Sequence, residues 1–381
     1  MINVNQQALL ELLKSSLFGA QPSFPEGVDW DAVLQEAKDQ TVVALAAPAV
    51  PKEVAGKWQI PAAQNKLRFF QILNEQANLI KLFRDADIPL VIIKGFAAAM
   101  YYPVPLQRTM GDIDFVVPTE LLDEANRLLT ESGYTFVSSC LRHNKYTNND
   151  IILELHNRYS DEEWDIEQLI KDGIFRADLC EVYGKQYPAL PIEINGVVLL
   201  DHIRMHLYTG LGLRQIIDWM MFVHSSLRDD AVWEKRFAPH FRETRLEILA
   251  ITVTKMCKLW FGLPDEITWC DQADDDLALE LLETVFDFGN FGRKSEREVK
   301  PVETVTMNIH KYGFFRNLQI AGEYNWKAYH KHKVLRPFAW LYQAFRYLCR
   351  GLAVLFRGKQ ITKEYQSGNK RADFHKRLGI E

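Results

Sequence analysis

Cysteine is scarce in this chain. Its 381 residues hold five, Cys140, Cys180, Cys257, Cys270 and Cys349, an odd and scattered set with no C-x-x-C spacing. That excludes a disulfide scaffold and a cysteine-rich zinc site, and it fits a reducing compartment. Long apolar runs are missing too: nothing approaches about 18 uninterrupted apolar residues, so no spanning helix is expected. The opening MINVNQQALLELLKSSLFGA has neither the basic start nor the apolar stretch of a secretory signal, and a cytoplasmic protein is expected. There is no internal repeat and no low-complexity segment. Positive charge is not in excess either. The balance of 45 Lys+Arg against 50 Asp+Glu leaves −5, which is no nucleic-acid footprint for the chain as a whole. With 48% hydrophobic and 25% charged residues the composition is that of a folded protein, long enough for two or three packed domains.

The charge is unevenly placed. Residues 293–381 carry 19 Lys+Arg against 7 Asp+Glu, whereas the remainder carries 26 against 43. The basic part also collects aromatics, among them Phe314, Phe315, Tyr324, Trp326, Phe338, Trp340 and Phe345. Within 336–357, Arg346, Arg350 and Arg357 fall along one stripe at helical spacing, and the other sides are apolar. Such a segment suits a helix packed into a C-terminal domain, an interfacial helix on a peripheral, anionic membrane surface, or a contact with RNA or another polyanion. The acidic run at 271–287 reads as a solvated helical face.

Apolar positions recur at helical spacing over 5–18, 29–47 and 63–85, the last through Leu67, Phe70, Ile72, Leu73, Leu79 and Phe83. The texture then changes. Pro89–Ile93 is a short β-rich run, followed by Lys94-Gly95 and a helix that Pro103 and Pro105 end. Residues 112–117 (DIDFVV) read as a strand. Thr119 is the expected N-cap of the next helix, which should stop at a left-handed Gly133. Strands fit 134–138 and 151–156, joined by the polar loop HNKYTNND. From about Gly196 the chain turns helical and stays so. The expected fold is α+β: a helical region at 1–85, a compact mixed-sheet core at 86–195, and a helical domain at 196–381 that ends in the basic aromatic tail from about 293.

The sharpest chemical feature is Gly111-Asp112-Ile113-Asp114-Phe115. Side chains two apart on a strand share a face, so Asp112 and Asp114 point one way while Ile113 and Phe115 enter the core. Paired carboxylates repel unless a cation lies between them, and hard divalent ions want oxygen ligands in that arrangement. A solvated strand end would give the same pattern. Three neighbours favour chemistry. Gly95 opens a helix whose backbone N–H groups suit phosphate, with Lys94 adding a cation. Arg108, in the loop leading to the aspartates, is placed either to reach a triphosphate or to pair with one of those carboxylates. Glu154 and His156 share a face of the strand at 151–156 and need a partner, for which the aspartates are the obvious choice. Together these residues make a candidate two-metal site for phosphoryl or nucleotidyl transfer.

The order Lys94-Gly95, Tyr102-Pro103, Arg108, Asp112-x-Asp114, Glu154-x-His156 resembles an uncharacterised bacterial nucleotidyltransferase-like family of the DNA polymerase β-type superfamily, in which Lys-Gly stands for the usual Gly-Ser. The resemblance covers residues 90–156 well and 198–224 more loosely. It implies a small nucleotidyltransferase core between helical regions, with Asp112, Asp114 and Glu154 as catalytic residues and ligands of Mg²⁺ or Mn²⁺. Glu154 is then the candidate base. Lys94, Gly95, Arg108 and His156 would bind the nucleotide, an NTP such as ATP. The implied activity moves an NMP from that NTP to a hydroxyl or phosphate on an acceptor, whether a small molecule, an RNA end or a protein. The alternatives are a non-catalytic nucleotide-binding or scaffold protein whose basic tail binds a membrane or partner, and a phosphotransferase using the same site.

Three further groups take structural readings. His202 and His206 lie i,i+4 on one helix face and read as structural, since no H-E-x-x-H accompanies them. Arg214 and Asp218 have the same spacing and read as an internal ion pair holding two helices, with substrate contact as the alternative. His143, Lys145 and Tyr146 read as ordinary loop residues near the site, with contact to a base or acceptor as the alternative.

Overall fold

The computed structural model describes residues 2–140, 142–159, 166–290, 294, 301–356 and 361–380. Its chain forms two compact units, Met1–Ser295 and Glu296–Glu381. The first unit opens with helices whose ends are written locally. In α1 (Val4–Phe18) the Asn3 side chain accepts from the backbone N–H of Asn5 and Gln6, and Gln6 reciprocates on the Asn3 backbone. Asp29 caps α2 (Trp30–Asp39), its side chain accepting from the N–H of Asp31 and Ala32. After the short α3 (Val43–Ala46) comes α4 (Gly56–Asp85), the long helix expected over 63–85. Its buried face runs through Phe69, Ile72, Leu73, Leu79 and Phe83. Phe69, not Phe70, is the buried ring, and Leu67 is 62% exposed, so the apolar stripe is rotated from the one read off spacing alone.

The sheet has seven strands: β1 (Val91–Ile93), β2 (Asp112–Val116), β3 (Thr135–Ser139), β4 (His143–Asn148), β5 (Ile151–His156), β6 (Asp178–Val182) and β7 (Lys185–Ala189). Their order is β3-β4-β5-β2-β1-β7-β6, with β2 parallel to β5 and antiparallel to β1. The fold is α+β, as expected. Two details depart from expectation. The polar stretch HNKYTNND is not a loop: six of its residues are β4, paired on both sides. Asn149 and Asp150 take φ of +47° and +64° and turn the chain tightly into β5, the backbone that a two-residue hairpin requires. Thr119 is not an N-cap either. It starts a 3₁₀ turn, Thr119–Leu121, that leads into α6 (Leu122–Glu131) with no side-chain cap.

One face of this sheet is apolar. Ile113, Phe115, Leu153 and Leu155 pack with Phe69, Phe83, Ala125 and Leu129 in one core. Strand alternation therefore sends Asp112, Asp114, Glu154 and His156 to the other face. The short α5 (Gly95–Ala99) follows β1, and α7 (Ile166–Ile174) precedes β6. Two nearly all-buried helices come next, α8 (Ile192–Thr209) and α9 (Leu213–Ser226). They meet closely at Gly196, where a Cβ would lie 2.7 Å from the Phe222 ring. Further helices include Glu247–Phe261 and Asp275–Phe288.

Among the described residues the second unit is helical: Pro301–Tyr312 packs with Ile361–Arg377, and Phe314–Asn325 with Ala339–Phe356. Trp326 stacks on Tyr342 with ring centroids 5.3 Å apart. Of the basic stripe expected at 336–357, Arg357 and the side chain of Arg350 lie outside the described residues. No helix among the described residues is long and apolar enough to cross a membrane.

Candidate active site

Strand register assembles the polar face. Asp114 on β2 stands opposite Ile93 of β1 on one side and Glu154 of β5 on the other, and Glu154 in turn stands opposite Lys145 of β4. One step further along, His156 stands opposite His143. Lys94, the residue after β1, has φ +56° and ψ −125°, a conformation rarely held by a residue with a side chain. From there its Nζ donates to Asp114 Oδ1 at 2.8 Å, and His156 Nε2 contacts the same oxygen at 2.8 Å. Glu154 accepts from Lys145 Nζ at 2.9 Å and lies 3.5 Å from His143 Nδ1. His143 and Lys145 are thus members of the charged cluster and not loop residues.

The carboxylates differ in electrostatics. Burial opposes the ionisation of Asp114, but Lys94 and His156 outweigh it and hold that carboxyl below the ordinary range. Asp112 is pushed up to about 6, first by burial and then by the charges of Asp114 and Glu154. Its carboxylate makes no hydrogen bond or ion pair among the described residues. Burial, helped by Lys94, lowers His156 and leaves its imidazole neutral near pH 7. The His156 Nδ1 is buried and has no partner among the described residues.

Arg108 is turned elsewhere. Its Nε and one terminal nitrogen reach the two oxygens of Asp218 on α9, each at 2.7 Å, and the Tyr102 hydroxyl donates to Asp218 at 2.7 Å. Arg108 therefore pairs with neither Asp112 nor Asp114, and Asp218 is not the partner of Arg214. Arg214 instead donates from one terminal nitrogen to the Thr109 carbonyl at 3.3 Å. The α8 histidines face the same region. His202 and His206 bring their Nε2 atoms within 2.9 Å, and burial lowers both, His206 to about 4 with the help of Arg214 and Lys94.

The donor set suits a hard divalent cation, since three carboxylates share one sheet face and one of them has no partner. A second set, His143, Glu154 and His156, brings one donor atom from each residue within 4.8 Å of the others and would suit a first-row transition ion. The ion pair expected between Arg214 and Asp218 from their i,i+4 spacing does not form, because Arg108 occupies that carboxylate.

A family model described as uncharacterised nucleotidyltransferase matches residues 26–262, more than half of the chain and all of the sheet with α8 and α9. No curated protein matches at a significant level. Two solved structures of ANT(2″)-Ia are similar over a part of the chain. The crystal structure with adenylyl-2″-tobramycin is 15% identical, covers 40% of this chain and 88% of its own, and has a TM-score of 0.31. The solution structure, titled as that of an antibiotic-resistance factor, is 16% identical, covers 44% of this chain and 96% of its own, and has a TM-score of 0.32. The family match carries the assignment: this chain belongs to the uncharacterised nucleotidyltransferase family and is a nucleotidyltransferase.

Proposed function

We propose that the protein transfers a nucleoside monophosphate from an NTP to an acceptor hydroxyl or phosphate at the polar face of β2 and β5. The observation that carries this reading is Asp112, a carboxylate pushed up to about 6 and without a partner among the described residues, beside two acids that do have partners. Asp112, Asp114 and Glu154 would hold Mg²⁺, or Mn²⁺ in its place. Bound there, the metal would supply charge to neutralise the triphosphate and the oxygens of the transferring phosphoryl group.

The residues divide the remaining work. The acceptor oxygen bonds to the α-phosphorus as the bond to the bridging oxygen breaks, and pyrophosphate leaves. Glu154, on the same face as Asp114, takes the acceptor's proton. Lys94 and His156 orient Asp114 by holding a single oxygen from both sides. The Gly95 backbone lies against the phosphates: a Cβ at that position would have only the Asp112 carbonyl as neighbour, at 4.0 Å, so ligand approach is open. Arg108 acts through Asp218, anchoring the loop that precedes β2 to α9.

The test is incubation with each labelled NTP and Mg²⁺, following pyrophosphate release and label transfer, for wild type and the Asp112→Ala/Asp114→Ala double variant. Pyrophosphate that disappears in the variant supports nucleotidyl transfer. Release of a nucleoside diphosphate instead would indicate movement of the γ-phosphoryl group. Nucleotide binding without either product, with no Mg²⁺-dependent rise in melting temperature, would leave a nucleotide-binding or scaffold role.

A further inference from the structure

We propose that Arg214 is the polyphosphate-binding residue of this site, taking the β- and γ-phosphates of the NTP and the pyrophosphate that leaves. The assignment rests on the transfer reading above and deepens it.

The argument begins with a mismatch of charge. Arg108 and Arg214 both lie near Asp218, but Arg108 holds both carboxylate oxygens at 2.7 Å. Arg214 is left with a single carbonyl partner at 3.3 Å, and its Nε is buried without any partner among the described residues. A guanidinium has five donors in a fixed fork, so most of this one is unused. A buried Nε with no partner among the described residues, beside a second arginine, leaves an unmet hydrogen-bonding cost in the free protein. An anion seated on the fork would remove that cost.

Placement gives the anion its identity. Thr109, whose carbonyl holds Arg214, lies three residues before Asp112, and Asp112 and Arg214 feel each other's charge directly. His206 feels the charge of both Arg214 and Lys94. Arg214 is only partly buried, so solvent and solutes have access to part of it. Its backbone is also fixed in advance. The Leu213 N–H donates to Gln40 Oε1 at 2.9 Å, and Gln215 Nε2 donates to Asn290 Oδ1 at 2.8 Å. At Gly212 a Cβ would lie 2.6 Å from Asn290 Cβ, so the start of α9 is seated tightly. A bidentate donor held rigidly beside a metal-binding carboxylate matches a polyphosphate chain.

The test is calorimetric titration of the full chain with sodium tripolyphosphate and with inorganic phosphate, in Mg²⁺, for wild type, Arg214→Gln and Arg214→Lys. Expected is tripolyphosphate binding that weakens about tenfold or more in Arg214→Gln and partly recovers in Arg214→Lys, which keeps charge but loses the fork. The ligand-free Arg214→Gln protein should melt no lower than wild type, because a structural arginine would lower it and an unpaired one would not. Equal binding by Arg214→Gln, no tripolyphosphate binding by wild type, a lower melting temperature of the ligand-free variant, or preference for inorganic phosphate would each overturn the proposal. Pyrophosphate release separates the two readings. If release depends on Asp112 while the NTP KM of Arg214→Gln equals that of wild type, transfer stands and Arg214 falls. If no NTP yields pyrophosphate but tripolyphosphate binding depends on Arg214, the anion site stands and transfer falls.

Discussion

Lys94 and Asp114 form a buried ion pair, Nζ to Oδ1 at 2.8 Å, across the β1–β2 boundary. The lysine reaches it from a backbone with φ +56°, where a glycine would sit without strain. Side-chain charge and backbone strain therefore act in opposite directions at one residue. Removing Lys94 leaves the buried Asp114 without its cationic partner, a loss of about 3–5 kcal/mol for Lys94→Ala. Lys94→Gly should lose about 1 kcal/mol less, because it relaxes the backbone. Urea denaturation of both variants checks this, and a glycine variant less stable than the alanine one contradicts it.

Asp112 sets a pH dependence of known sign. Its folded pKa, about 6, lies above that of an ordinary carboxylate. The folded metal-free protein thus holds the proton more tightly than the unfolded chain does. The resulting stability is present below about pH 4 and is lost as pH rises through about 6. His156, His202 and His206 have the opposite sign, since burial lowers them, and their contribution is lost as pH falls. The difference between wild type and Asp112→Asn isolates the carboxylate. In EDTA the variant should melt higher at pH 7, and the gap should close by pH 4. Parallel melting curves across that range would remove the electrostatic basis of the proposed metal site.

The Arg108–Asp218 pair is a structural brace with a distinct signature. Asp218→Ala and Arg108→Ala should each cost about 3–5 kcal/mol, and the double variant less than their sum, because each single change strands a buried charge. Tyr102→Phe, which removes one hydrogen bond to Asp218, should cost about 1–2 kcal/mol. Denaturation of all four variants tests the cycle. An NTP KM that rises steeply in a well-folded Arg108→Ala protein would instead put that guanidinium on the triphosphate.

Gly95 separates function from folding. A Cβ there meets nothing closer than the Asp112 carbonyl at 4.0 Å, so Gly95→Ala should keep its melting temperature. The added methyl would occupy the approach assigned to phosphate, so the NTP KM should rise several-fold. An unchanged KM would argue that the phosphates lie elsewhere.

Much of the site was legible because strand geometry is local. A period of two is enough to put Asp112 with Asp114 and Glu154 with His156, and the buried partners Ile113, Phe115, Leu153 and Leu155 confirm the alternation. The strand β4 was not legible from hydrophobicity. Its faces are polar, Tyr146 alone is buried, and pairing on both edges stabilises it. Its only local mark was the Asn149-Asp150 turn. The assignment of His143 and Lys145 to a loop failed for that reason.

By itself, the sequence determined the mixed α/β core between helical stretches and the shared face of its acids, since both follow from short-range periodicity and backbone sterics. Only the tertiary structure decided which cation meets which carboxylate. Asp218 has Arg214 four residues away, yet it is Arg108, 110 positions distant, that carries it. Ion pairing depends on distance in space and on the solvent excluded around the pair, and neither is set until α9 has packed beside the loop before β2.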